Sequence, residues 1–237
     1  MIRAFVVLIA LLSAASPVLA QNQKVDMELV FLADASLSID DAEIRFQRSG
    51  HAAALQDPKV LAAIARGIRG RIAVTFMEWA DEDNQAVVVP WSIIDGAKSA
   101  KAFARTLLAA PRVAIGMNAI GSAIAAGHAA IVNNRIEGFR KVIDFAGDSA
   151  NSYSGIPIAT ARTAALRAGI IINGLAIACR AEDCSGQPVS YDLKTAFAKM
   201  IIGGPGSFVV SVDSRAGFAA AVRKKLILEL AEAPVRP

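Results

Sequence analysis

MELVFLADASLSIDDAEIRF, residues 27–46, is the stretch on which the fold turns. Its first seven residues, MELVFLA at 27–33, form an apolar run of strand length, and from residue 40 onward the early acids and the spacing of apolar residues predict a helix. Between the two lies DASLS, 34–38, which sets one carboxylate and two hydroxyls at alternate positions. Alternation puts Asp34, Ser36 and Ser38 on one side of an extended chain, about 6–7 Å per step, so they share an ion only if the loop curls around it. Ser38 with Asp41 also matches a capping box, and Asp40, Asp41 and Glu43 stand where acids favour a helix N-terminus. Cap and ligand roles are compatible, because different residues can fill them.

Outward from this stretch, apolar runs of strand length alternate with longer Ala-rich helical segments. Strands are expected at 27–33, 71–79, 86–93, 141–146, 170–178 and 207–212, and helices at about 40–66, 96–109, 119–133, 157–168, 191–201 and 215–231. That order predicts an α/β fold: a central, mainly parallel six-stranded sheet with helices on both faces. The second and third strands are joined by DEDNQ, 81–85, too short for a crossover helix, so they should form an antiparallel hairpin. Pro90 then places the third strand at an edge. No internal repeat or long linker divides the chain, and EAPVRP at 232–237 reads as a loose tail.

Residues 1–20, MIRAFVVLIALLSAASPVLA, put one Arg before an apolar stretch that ends in small residues, the pattern of a secretory signal peptide. Cleavage after Ala20 would release residues 21–237 as a single domain that is periplasmic or secreted, and the absence of a Cys at the junction argues against a lipid anchor. The longest later apolar run, IIINGLAIA at 170–178, is nine residues. A membrane helix needs roughly 18, so no membrane span is expected after signal cleavage. The formal charge is +4, and loss of Arg3 leaves +3. The basic runs RGIRGR (66–71) and VRKKL (222–226) lack interleaved aromatics, which argues against nucleic acid. Cys179 and Cys184 are the only cysteines; their short spacing in an exported chain predicts a disulfide closing a surface loop, and a zinc site would need further ligands.

In an open parallel sheet, ligands bind beyond the carboxyl ends of the strands. DASLS follows the first strand and GDSAN, 147–151, follows the fourth. If those strands are neighbours, Asp34, Ser36, Ser38 and Asp148 meet at one rim. Carboxylates and hydroxyls together suit a hard divalent cation such as Mg²⁺, with Mn²⁺ or Ca²⁺ as alternatives. Asp144 stands about 13 Å from Asp148 along extended chain and is expected to satisfy a buried polar contact instead. His51 and His128 lie in Ala-rich helical stretches without a second His at ligand spacing, which predicts structural roles for both.

These residues resemble the metal-ion-dependent adhesion site (MIDAS) of von Willebrand factor A domains, whose first loop reads Asp-x-Ser-x-Ser. Asp34, Ser36 and Ser38 match it position by position, and Asp148 stands where that family places its later aspartate. VIDFAGDSANS (142–152), IIGGPGSFVV (201–210) and AVRKKLILELA (221–231) are similar, more closely, to a bacterial family of exported A-like domains, domain of unknown function 1194. The resemblance implies a Rossmann-like von Willebrand factor A fold and a non-enzymatic binding or adhesion module. In it Ser36 and Ser38 would be direct ligands, Asp34 and Asp148 would act directly or through water, and an acidic side chain of a protein partner would complete the shell. The second loop departs from the pattern: Asn118, in GMNAIGSAI, stands where the family offers a Thr. An Asn amide oxygen can coordinate a hard cation, and Asn is also a preferred helix cap. Two alternatives stay open: a degenerate, metal-free scaffold domain, and a serine esterase in which Ser149 of GDSA attacks. The esterase would need a base, yet both histidines precede Ser149 in the chain.

Overall fold

The structure is a computed structural model that describes residues 22–178 and 189–231. The expected signal peptide, the expected Cys179–Cys184 bridge and the expected tail fall outside the described residues. Strand β1 (Gln23–Asp34) is buried from Val25 to its end and runs through the middle of the sheet. On one side of it lie β2 (Ile72–Trp79) and then β3 (Gln85–Ile94); on the other lie β4 (Ile136–Gly147), β5 (Ile171–Ile177) and β6 (Val209–Val212). The six strands are parallel except for β3, which pairs antiparallel with β2 as the short DEDNQ connection requires. Pro90 is exposed on this edge strand, where a missing N–H costs the sheet nothing.

β1 is covered on both faces, and its alternation assigns the layers. Met27, Leu29, Phe31 and Ala33 pack with residues of α1 (Asp41–Gln56), α2 (Pro58–Arg66), α3 (Ala97–Ala109) and α7 (Arg215–Ala231). Val30 and Leu32 point the other way, toward α4 (Ile120–Val132), α5 (Ile158–Arg167) and α6 (Leu193–Met200). This three-layer arrangement is the expected α/β architecture.

Two expectations need correction. The helix expected over 40–66 is two helices, because Pro58 has no N–H to continue the ladder and Asp57 caps the second helix, accepting from Lys59 N at 2.8 Å. β1 and β4 begin four to five residues earlier than their apolar cores, pairing Gln23 with Ile136 and Lys24 with Glu137. The β1 extension opens on exposed Gln23 and Lys24 and the β4 extension carries exposed Glu137 and half-buried Arg140, so neither start is marked by a continuous apolar run.

Candidate metal centre

β1 and β4 are direct neighbours, so the loops that leave their carboxyl ends share one rim. The first loop curls at once. Ser36 N donates to Asp34 Oδ1 at 2.9 Å, folding the chain back over the carboxylate, and the Ser36 and Ser38 hydroxyls close on each other at 3.1 Å. Ile39 N then bonds Ser36 O at 3.0 Å, so alternate residues that a straight strand would spread apart face a common centre.

The capping box sits elsewhere than expected. Asp40 is the N-cap of α1, accepting from Glu43 N at 2.7 Å, and Glu43 returns the favour to Asp40 N at 3.1 Å. Ser38 is therefore not the cap, and its hydroxyl belongs to the loop's inner side. Asn118 is not a cap either: the N-cap of α4 is Ala119, and the Ile120 N–H is taken by the Ser152 hydroxyl at 3.1 Å.

Asp148 arrives from β4 with its backbone N–H directed at Asp34 Oδ2, a long hydrogen bond of 3.4 Å. The two carboxyls thus sit together, and the electrostatics register it. Asp34 is fully buried, and burial followed by the nearby Asp148 carboxyl pushes it up to about 8, against the opposing Ser36 hydrogen bonds. Asp148 is also raised, first by burial and then by Glu43, while the Ser38 hydroxyl works in the other direction. Two polar atoms at the rim lack a hydrogen-bond partner though buried: Asp148 Oδ1 and Asn118 Oδ1. The loop that carries Asn118 is tied to the third loop, residues 148–157 after β4, by its backbone: Asn118 O accepts from Tyr153 N at 2.7 Å.

Among the described residues there is no group of three or more His, Cys, Asp and Glu side chains that could hold a metal. The set here is of another kind, two aspartates supplemented by serine hydroxyls and an amide oxygen. Hard divalent cations accept such all-oxygen shells. Two buried carboxyls, both raised, beside side-chain oxygens without a hydrogen-bond partner form a donor set that a positive charge would stabilise. The residues fit a small hard cation.

Several supports carry no local sequence signal. Gln47 on α1 donates to Asp34 O at 3.0 Å, and Trp79 Nε1 donates to Ala146 O at 3.2 Å. Arg112 gives its guanidinium to Ala35 O at 2.7 Å, Ser36 O at 3.3 Å, Ala114 O at 3.0 Å and the Asp41 carboxylate at 3.1 Å. It stands 77 residues from Ala35, a separation no short motif covers. Around the rim Leu37, Val113, Ile115, Met117, Tyr153 and Ile156 expose large apolar surfaces.

Other candidates fall to different places. Ser149 approaches the Tyr191 hydroxyl at 3.4 Å, and its oxygen accepts from Asn151 N at 3.1 Å. His51 lies on α1, its ring against Phe31, Phe76 and Phe218 and its Nδ1 2.8 Å from Gln47 O, so it offers Ser149 no base. His128 is half-buried on α4. Asp144 pairs with Lys225 at 2.8 Å, the buried polar contact expected of it.

The fold has solved counterparts. Proximal thread matrix protein 1 from the mussel byssus superposes with a TM-score of 0.60 at 17% identity, over 90% of this chain and 49% of that one. A second structure of it, described as having a zinc-occupied MIDAS motif, gives 0.60 at 18% over the same shares. The pilus adhesin SpaC from Lactobacillus rhamnosus GG gives 0.60 at 12%, over 88% of this chain and 31% of that one. A von Willebrand factor type A protein from Catenulispora acidiphila gives 0.54 at 15%, over 87% and 42%. This chain thus spans about half the length of the mussel protein and about a third of the adhesin. Identities this low establish the fold alone. No curated protein matches the sequence. No helix among the described residues is long and apolar enough to cross a membrane. The family described as "Protein of unknown function (DUF1194)" matches residues 24–234, and the chain, with its von Willebrand factor A fold, belongs to that family.

Proposed function

We propose that the protein is an exported binding module that captures an acidic group of a protein partner through a divalent cation, Mg²⁺ or a similar hard ion, held by Asp34, Ser36, Ser38, Asn118 and Asp148. The observation that carries this reading is the pair of carboxyls at the rim: Asp148 N meets Asp34 Oδ2, both acids are raised, and Asp148 Oδ1 and Asn118 Oδ1 have no hydrogen-bond partner. When bound, the cation offers an open coordination position to a carboxylate. The chain's own residues do the rest. Asp34, held by the Ser36 amide and braced through Gln47, supplies charge from beneath, while the two serine hydroxyls face inward from the loop. The exposed apolar side chains of Leu37, Ile115, Met117 and Tyr153 surround the centre with surface that a protein partner can cover. The mussel relative with a zinc-occupied MIDAS motif and the pilus adhesin lend support by analogy of fold.

Calorimetric titration of the purified chain with Mg²⁺ and Mn²⁺ tests the reading. Saturable binding is expected in the wild type, with none in Asp34→Ala. Absence of heat and of any thermal shift with either ion would leave a metal-free scaffold domain. On the partner side, Leu37→Lys is expected to keep ion binding while removing partner capture.

A further inference from the structure

On the α7 side of the sheet, away from the rim, Lys225 is fully buried, with Nζ 2.8 Å from Asp144 Oδ1 on β4 and 2.6 Å from Glu229 Oε1 one turn along α7. Glu229 Oε1 also accepts from Asn173 Nδ2 at 2.9 Å, and the Phe208 ring centre lies 5.6 Å from the ammonium. Strand register places Asp144 beside Phe31 and Asn173. His51 on α1 faces the same cluster, and Arg140 donates to the Glu229 backbone oxygen at 2.7 Å.

The cluster is unusual as an ion pair. Two carboxyls share one ammonium in a dry interior, where each unscreened charge costs several kcal/mol, and Asp144 Oδ2 and Glu229 Oε2 have no hydrogen-bond partner. Burial raises Asp144 against the lowering pull of Lys225 and pushes Glu229 up to about 6, so both carboxyls can exchange a proton with the ammonium they share. An amine, a carboxylic acid and a second acid able to relay a proton are held in contact, the arrangement that intramolecular condensation needs.

We propose that Asp144 and Lys225 join in an intrachain amide, an isopeptide bond linking β4 to α7, with Glu229 as the proton shuttle. Proton exchange within the pair leaves a neutral amine and a carboxylic acid. Nζ attacks Asp144 Cγ; Glu229 takes the proton that Nζ sheds and returns it to the departing hydroxyl. One C–N bond forms, one C–O bond breaks and water leaves, with no oxidant or reductant. The product replaces two buried charges by one neutral amide.

Intact mass and peptide mapping of the denatured, thiol-reduced chain decide the matter, independently of any cation. The expected result is a species lighter by one water, about 18 Da, with a branched peptide joining the segments that contain Asp144 and Lys225. Folded Glu229→Gln should return to full mass, and Asp144→Asn should keep the branch by expelling ammonia instead. Full mass with both residues in linear peptides overturns the bond, as does a water lost without a branched peptide. A branch that persists in Glu229→Gln overturns the role given to Glu229.

Discussion

Asp34 and Asp148 bring two carboxyls together where burial disfavours their charge, a local cost that a cation would relieve. Function and stability should therefore diverge at these positions. Asp148→Asn is expected to melt at or above the wild-type temperature in EDTA and to lack the rise in melting temperature that the proposed Mg²⁺ binding predicts for the wild type, as read by scanning calorimetry. The pH dependence has a definite sign. Asp34 keeps its proton up to about 8 when folded against 3.8 when unfolded, so this group's contribution falls as pH rises across that window. His51 is buried neutral, its pKa lowered to about 4 from 6.5, first by burial, so its contribution falls as pH drops from 6.5 toward 4. The two oppose each other below 6.5; above it the histidine no longer contributes, and Asp148, also raised, acts in the same direction as Asp34. In EDTA, stability should fall by about 2 kcal/mol between pH 6.5 and 8, and saturating Mg²⁺ should flatten that decline. Denaturant melts at three pH values, with and without the ion, check this.

At the level of elements, the rim depends on how closely α4 approaches the third loop. A Cβ at Gly121 would fall far inside van der Waals contact with the Ile156 backbone oxygen, and backbone cannot step aside as a side-chain tip can. Gly121→Ala should cost about 2 kcal/mol or more in urea unfolding and weaken ion binding by displacing residues 152–157. Phe218 of α7 packs on Phe46 and His51, and Phe218→Ala should cost about 3 kcal/mol. Most elements were legible in the sequence because β1, β2 and β5 are buried on both faces and read as continuous apolar runs. The start of β4 was not, since Glu137, Arg140 and Lys141 lie on a half-exposed stretch paired to β1. The break at Asp57–Pro58 was written in the chain, but helical spacing on either side concealed it. The cap was misplaced by two residues because Ser38–Asp41 and Asp40–Glu43 are overlapping boxes, and only backbone conformation chooses between them.

Over the whole molecule, the site was legible to the extent that it is local. Asp34, Ser36 and Ser38 form a contiguous motif, and the neighbouring of β1 and β4 brings Asp148 to them. The supports were hidden because Gln47, Trp79 and Arg112 act across long separations, each through a backbone carbonyl that any residue could supply. Arg112 has a further consequence. By fastening the first loop, the second loop and the first turn of α1 to one planar group, it leaves these segments little freedom to surrender when a ligand arrives. The proposed capture would then carry a small ordering penalty, its speed governed by diffusion and long-range attraction more than by rearrangement. Loosening that brace with Arg112→Ala should slow association in stopped-flow measurements and make the binding entropy more unfavourable.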